Sequence, residues 1–201
     1  MVFSSTIFLF AFLPAVLALY FLLPRLAAKN VLLLVVSLIF YAWGEPVYVL
    51  LMVASIVANY LFGMAIARTG GKEAGRGKAL LVLALVVNLL ILGFFKYEGF
   101  VADNINRVVG AVLLPNLQLP LPIGISFFTL QAISYIIDVY RGHCKAQPNI
   151  LYLGMYIAMF PQLVAGPIVR YSHIEAEVMN RRVTLSGFAQ GLRLFIVGLG
   201  K

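Results

Sequence analysis

The sequence predicts an all-α protein, a polytopic bundle of transmembrane helices. Hydrophobic residues make up 63% of its 201 residues and charged residues only 11%, which is far from the composition of a soluble domain. Several apolar runs reach or approach the roughly 20 residues that a helix needs to cross the hydrocarbon core. The basic residues, which give a net charge of +8, lie in short loops and form no continuous patch. A nucleic-acid-binding surface is therefore not predicted.

Five apolar runs are predicted to span the bilayer. No Lys or Arg precedes the first run, and it is longer than the apolar core of a secretion signal, so we expect it to be retained as a span. Gly44-Glu45-Pro46 is predicted to turn the chain between the second and third spans, because proline suits the first position of a helix. The predicted spans are 3–23, 31–43 (or from a few residues earlier), 47–67, 79–95 and 122–140.

Two further stretches are predicted to lie along the membrane surface. The stretch 96–119 mixes apolar and polar residues. The stretch 185–200 has the spacing of an amphipathic helix, with apolar residues recurring on one face. That face comprises Phe188, Leu192, Phe195, Ile196 and Leu199. We therefore expect an interfacial helix at 185–200.

The run 151–170 differs from the spans because it contains Pro161, Gly166 and Pro167. Prolines remove backbone hydrogen bonds and kink or end a helix. Broken backbone at membrane depth is tolerated only where it is buried in protein or lines a wet cavity. The run therefore either re-enters, which is the favoured interpretation, or crosses the membrane as a kinked sixth span.

Charged loops predict the orientation of the chain. If the amino terminus lies outside, the outer loops hold only Lys96 and Arg107 as basic residues. The inner loops then hold eight: Arg25, Lys29, Arg68, Lys72, Arg76, Lys78, Arg141 and Lys145. Cytoplasmic loops carry an excess of Lys and Arg, so this orientation is predicted. A re-entrant run 151–170 would also keep Arg170, Arg181 and Arg182 inside.

One predicted span carries a polar stripe. Its members, Gln131, Ser134, Asp138 and Arg141, are spaced by three, four and three residues, so a helix places them along one side. A charge at mid-bilayer costs roughly 2.5–3.5 kcal/mol on insertion scales, so the stripe is predicted to face protein or water. Either Asp138 and Arg141 pair at the helix end while the other two bond between helices, or the stripe lines a substrate passage.

A second candidate cluster, Gln162, Gly166 and Arg170, recurs every four residues beside the prolines. It belongs either to a plain kinked helix or to a broken segment that lines a cavity.

The sequence does not present a complete catalytic or metal-binding constellation. His143 and His173 are interpreted as solvated loop histidines. Cys144 is the single cysteine, so an internal disulfide is excluded. His143 and Cys144 are adjacent, which does not match the usual zinc spacings. No metal or bound cofactor is expected.

Five stretches taken in chain order are more specific: "MVFSSTIFLFAFLP", "SLIFYAWGEP", "LGFFKYEGF", "LPIGISFFTLQAISYIIDVYRG" and "MFPQLVAGPIVRY". Together they resemble the amino-terminal half of the membrane-bound O-acyltransferase family, and most closely its bacterial alginate O-acetylation branch. The two stretches that begin at Leu121 and Met159 carry the most specific likeness, whereas the apolar start alone would not be specific.

The resemblance implies a partial membrane-bound O-acyltransferase fold, a ring of helices around a central funnel. It implies transfer of an acyl group from a cytoplasmic donor such as acetyl-CoA to a hydroxyl of an exported polysaccharide such as alginate. It further implies the bacterial cytoplasmic (inner) membrane, in which the charged loops predict that the amino terminus lies outside. The lipid bilayer and extracytoplasmic polysaccharide-acetylation proteins are the implied partners.

The family's essential histidine, a general base, lies in the carboxyl-terminal half, and neither His143 nor His173 matches it. No catalytic residue is therefore carried over. Since relatives continue through more spans beyond the position of Lys201, we expect residues 1–201 to form a single but incomplete membrane domain. Such a chain would be a fragment, a truncated product or a split subunit, and inactive alone. The alternative from residues alone is a non-catalytic scaffold or a transporter-like protein with a polar passage.

Overall fold

Helices form nearly all of the regular structure in the computed structural model, which describes residues 5–73, 75–111, 115, 120–163, 166 and 169–200. No strand occurs within these ranges, so the all-α prediction is confirmed. Pro167, Lys201 and the first residues of the predicted span 3–23 lie outside them.

Within the described ranges, three helices are long and apolar enough to cross a membrane: α2 (Leu26–Gly44), α3 (Tyr48–Arg68) and α4 (Gly75–Val109). The first apolar run forms a π-helical turn, Phe8–Phe12, that continues into α1 (Leu13–Leu22). Helix α5 (Ile125–Arg141) begins after Gly124, whose φ of 77° is left-handed. The remaining helices are α6 (Ile150–Ala158), α7 (Phe160–Leu163), α8 (Tyr171–Asn180) and α9 (Leu185–Leu199).

Helix α4 continues past the predicted span end at residue 95. At 1.5 Å per residue its 35 residues measure about 52 Å, which exceeds the roughly 30 Å of the hydrocarbon core. Apolar residues persist through this extension, and the helix ends only at Gly110, whose φ of 72° is left-handed. A glycine in this conformation is a common helix terminator. The loss of continuous apolar character after Phe95 was therefore a poor guide to where the helix stops.

The main core lies where α5 and α6 pack against α2, α3 and α4. Small residues allow two pairs of these helices to approach closely. A Cβ atom at Gly63 on α3 would lie 2.8 Å from the Tyr135 hydroxyl on α5, and one at Gly154 on α6 would lie 3.3 Å from Leu34 on α2. In a membrane the lipid tails are as apolar as the helix surfaces, so helices associate through close packing at small residues.

A reciprocal amide pair joins α3 to α4 inside this core. Asn59 Nδ2 donates to Asn88 Oδ1 at 3.1 Å, and Asn88 Nδ2 donates to Asn59 Oδ1 at 2.9 Å. Both side chains are buried. Since an unpaired amide facing hydrocarbon is costly, this pair fixes the rotation of α4 about its axis relative to α3.

Replacement of both amides should destabilise the chain less than the two single replacements added together. We expect Asn88→Leu to cost roughly 1 kcal/mol of unfolding free energy, because it leaves the buried Asn59 amide without its partner. The double variant Asn59→Leu/Asn88→Leu should be less destabilised than the sum of the single variants. A double-mutant cycle of unfolding in detergent micelles measures this coupling, and additive effects would contradict the pairing.

Candidate functional site

The segment 150–170, here called the broken segment, interrupts its own helical hydrogen bonding. Helix α6 ends at Ala158, and Met159 has a ψ of 111°, outside the helical region. In a continuous helix the Phe160 N–H would donate to the Tyr156 carbonyl, four residues earlier. Pro161 has no N–H to offer the next carbonyl. The predicted break is therefore present, and it frees polar backbone groups inside an apolar environment.

Side chains from two other helices satisfy these freed groups. Gln131 Nε2 on α5 donates to the Tyr156 carbonyl at 2.8 Å, and it also donates to Gln162 Oε1 at 3.0 Å. The Phe160 N–H donates to Ser37 Oγ on α2 at 3.2 Å, while that hydroxyl donates its own proton to the Leu33 carbonyl. The polar residues Gln131 and Ser37, both buried, thus replace the helical bonds that the break removes.

The two ends of the broken segment lie at the same end of the helix bundle. Its tip approaches the start of α5, because a Cβ atom at Gly124 would lie 2.9 Å from the Leu163 carbonyl. The end of the broken segment lies beside the loop that precedes the segment, because Gln147 Nε2 in that loop donates to the Tyr171 hydroxyl at 2.6 Å. Between these points the Tyr156 hydroxyl donates to the Val169 carbonyl at 2.8 Å. The described residues therefore have the path of a segment that turns back.

That shared end also carries the loops with most of the positive charge, and we call it the basic end. A pocket of about 260 Å³ there is lined by both Lys72 and Arg141, and a second pocket is lined by both Arg68 and Lys145. Arg181 Nε reaches the same region from the end of α8, since it donates to the Tyr20 hydroxyl at 2.6 Å.

The carboxylate of Asp138 is bound at this end by α8 and by the following loop. Ser172 Oγ donates to Asp138 Oδ2 at 2.9 Å, and His143 Nδ1 lies 3.5 Å from Asp138 Oδ1. The alternative of a helix-end pair between Asp138 and Arg141 is wrong, because Arg141 points to the surface and the carboxylate uses other partners. The link joins the end of α5 to the start of α8.

The remaining members of the stripe have mixed surroundings. Ser134 is half-buried and donates to the Gln131 carbonyl within its own helix at 2.8 Å. Arg141 is exposed. Gln131 and Asp138 therefore face protein, as the stripe predicted, and their bonds join α5 to α6, α7 and α8. Whether these residues also line a passage stays a prediction.

The predicted second cluster does not form one helical face. Helix α7 ends at Leu163, and Gly166 closes a tight turn in which its N–H donates to the Gln162 carbonyl at 3.2 Å. A Cβ atom at Gly166 would lie 2.7 Å from Gln162 Cα, so the turn requires glycine. Arg170 follows in extended backbone and is exposed. The alternative of a plain kinked helix is therefore wrong, because the helix ends before Gly166. Whether the broken segment lines a cavity stays a prediction.

The histidines and the cysteine do not form a reactive group in the described part of the chain. His143 is 53% exposed beside Asp138. His173 is also exposed but lies on α8, which corrects its assignment to a loop. Burial, together with the negative charges of Asp138 and Glu175, raises the pKa of the Cys144 thiol to about 12, so it stays protonated and unreactive. No group of three potential metal ligands occurs among the described residues.

Sequence reasoning found Gln131, Gln162 and Asp138 but missed three other polar residues that support the broken segment and α8. Ser37 interrupts the apolar run "LLLVVSLIF", and that interruption was the available signal. Ser172 and Gln147 lie in ordinary polar surroundings in the sequence, so only the tertiary fold identifies them.

The whole chain aligns with part of several longer bacterial proteins. It is 40% identical over 204 residues to a probable alginate O-acetylase of Pseudomonas aeruginosa, and 41% identical over 204 residues to that of Azotobacter vinelandii. It is 34% identical over 233 residues to a peptidoglycan O-acetyltransferase of Helicobacter pylori. All of this chain is covered in each alignment, but only 39%, 40% and 44% of these relatives. The chain is homologous to these proteins and spans about two-fifths of their length.

No family model matches the chain. No solved structure matches it either.

Removal of the Gln131 amide should destabilise the fold. Gln131→Leu leaves the Tyr156 carbonyl and Gln162 without their donor, so we expect a loss of roughly 1–3 kcal/mol. Ser134→Ala is the matched control on the same helix. It should cost far less, because the short bond of its hydroxyl lies within that helix turn and its contact with the Tyr156 hydroxyl is long, at 3.5 Å. Thermal unfolding of the chain in detergent micelles, followed by circular dichroism, compares the variants. Equal unfolding temperatures for Gln131→Leu and the unmodified chain would contradict the proposed role.

Proposed function

We propose that this chain, a homologue of alginate O-acetylases and of a peptidoglycan O-acetyltransferase, is part of a membrane-bound O-acetyltransferase. Its acceptor would be a hydroxyl of an exported polysaccharide, with alginate as the first candidate. The observation that carries the proposal is the identity of about 40% across the entire chain. Since the chain spans about two-fifths of these relatives, the complete activity would also need residues that it does not contain.

The broken segment supports this proposal physically. Non-helical backbone at membrane depth requires protein or water around it, and a protein that moves an acetyl group between two sides needs a polar route through the bilayer. We propose that the tip of the broken segment forms one wall of that route. Gln162 and Gly166 are half-exposed there, so they are the positions best placed to meet a substrate.

The basic end supports a cytoplasmic, anionic donor. Phosphate groups are attracted to a surface with an excess of Lys and Arg, and acetyl-CoA carries several phosphates. The acetyl group would then approach the broken segment from this end. Neither His143 nor His173 is proposed as the general base, because both are exposed at the basic end and away from the tip.

A chimera tests the proposal. The matching 204 residues of the Pseudomonas aeruginosa relative would be replaced by residues 1–201 in a strain that lacks its own copy, and the acetate content of the secreted alginate would be measured. We expect acetylation to be restored at least in part. A chimera with His143→Ala and His173→Ala should acetylate equally well. A chimera that reaches the membrane in normal amounts without acetylating alginate would favour a scaffold, and loss of activity in the histidine variant would place the base in this chain.

Reporter fusions test the orientation and the re-entrant path. Alkaline phosphatase, which is active only outside the cytoplasm, should be active when fused after Pro46 or Gly110. It should be inactive when fused after Lys72 or Arg182, because the broken segment returns to the basic end. A cytoplasmic fluorescent reporter at the same four positions should give the opposite pattern. Phosphatase activity after Arg182 together with inactivity after Lys72 would show that the segment crosses the membrane instead.

A further inference from the structure

Two cations flank a single aromatic ring at the basic end. Lys29 Nζ lies 4.8 Å from the centre of the Tyr20 ring, and the Arg181 guanidinium carbon lies 5.3 Å from it. Arg181 also donates from Nε to the Tyr20 hydroxyl at 2.6 Å and from its terminal nitrogen to Asn30 Oδ1 at 2.8 Å. Asn30 is held in turn, because its Nδ2 donates to the Val178 carbonyl at 3.0 Å. The positions of the two charges are thus fixed by neutral groups.

No described residue neutralises these charges. Within the described residues, no carboxylate lies within 4.0 Å of either Lys29 or Arg181. Glu177 is one turn before Arg181 on α8, but it is exposed and makes no ion pair with it. Arg25 and Arg182, both exposed, add further positive charge beside them. A cluster of like charges that is held in place without counter-charges favours an anionic ligand.

An apolar groove begins next to the same charges. It has a volume of about 310 Å³ and is lined by Phe21, Val183, Thr184, Leu185 and Phe188. That volume is at the lower end of the range of small-molecule sites, roughly 300–1,000 Å³.

The residues that line the groove are neighbours along the chain of the residues that hold the charges. Phe21 follows Tyr20 directly, and Val183 follows Arg181 and Arg182. The rings of Phe21 and Phe188 meet edge to face at 5.5 Å, and this contact joins α1 to α9. A ligand that fits both features carries an anionic group close to a hydrocarbon chain within the same molecule.

We propose that this site binds an anionic glycerophospholipid, with its phosphate at Lys29, Arg181 and Arg182 and one acyl chain along the groove between α1 and α9. Charge complementarity selects the headgroup, and the exposed apolar lining selects the chain. Basic pockets between helices on the cytoplasmic side are a recognised form of lipid binding. Because no residue of α9 is fully buried in the structure, the bound lipid would also hold α9 against α1.

Lipid binding to the purified chain in maltoside micelles tests the site. Native mass spectrometry would count bound dioleoylphosphatidylglycerol, with dioleoylphosphatidylcholine as the zwitterionic comparison. At about 1 kcal/mol per basic residue near the headgroups, Lys29→Gln/Arg182→Gln should weaken binding of phosphatidylglycerol about 25-fold. The matched control, Lys72→Gln/Lys78→Gln, removes the same charge from the basic end but away from the groove, and it should change binding less than twofold.

Two further arms separate a lipid from a free anion. Leu185, which is 85% exposed, lines the groove, so Leu185→Gln should weaken phosphatidylglycerol binding without lowering the unfolding temperature. Inorganic phosphate at millimolar concentration should not displace the lipid. If Lys29→Gln impairs folding, Arg182→Gln alone should still weaken binding about fivefold.

Three outcomes would overturn the proposal. Equal weakening by the Lys72/Lys78 control would indicate only general attraction to the basic end. Equal binding of the two lipids would exclude recognition of the anionic headgroup. Displacement by phosphate together with an unaffected Leu185→Gln variant would indicate an anion site without a chain.

Discussion

The break in the helix at Met159 is the constraint on which the rest of the core depends. It exposes a carbonyl at Tyr156 and an N–H at Phe160 where no water is expected, and an unpaired backbone group in such surroundings costs several kcal/mol. Gln131 and Ser37 remove that cost from two sides. The broken segment can therefore exist only between α2 and α5, and the arrangement of these helices follows from the need to enclose it.

The sequence predicted features that depend on local chemistry, and it failed where distant residues decide. Polar spacing in α5 correctly indicated that Gln131 and Asp138 face protein, and proline correctly indicated the break. The pairing of Asp138 with Ser172 was not predictable, because the two residues are 34 positions apart and neither is unusual where it stands. The spacing of Gln162, Gly166 and Arg170 could not decide between a kinked helix and a broken segment, because the answer depends on where the helix ends, and α7 ends at Leu163. The length of α4 was missed because apolar content was used as a proxy for helix length.

Positive charge is concentrated at one end of the helix bundle. The short loops that carry most Lys and Arg residues meet at one end, and the return of the broken segment brings Arg181 to that end as well. We therefore propose the same end as the binding surface for two anions, a soluble donor and a membrane lipid. The buried polar pairs, in contrast, lie within the bundle and are already satisfied, so they serve to fix helix positions.

The chain order of Ser37, Gln131 and the broken segment has a consequence for biogenesis. A ribosome synthesises α2 and α5 before residues 150–170, so the hydroxyl and the amide are already in the bilayer when the interrupted backbone leaves the insertion machinery. The hydroxyl can then accept from the freed N–H, and the amide can donate to the freed carbonyl, as soon as the broken segment enters the membrane. Neither backbone group is left unpaired in lipid. A gene rearranged to encode that stretch first would lose this advantage, even though every contact of the finished protein could still form.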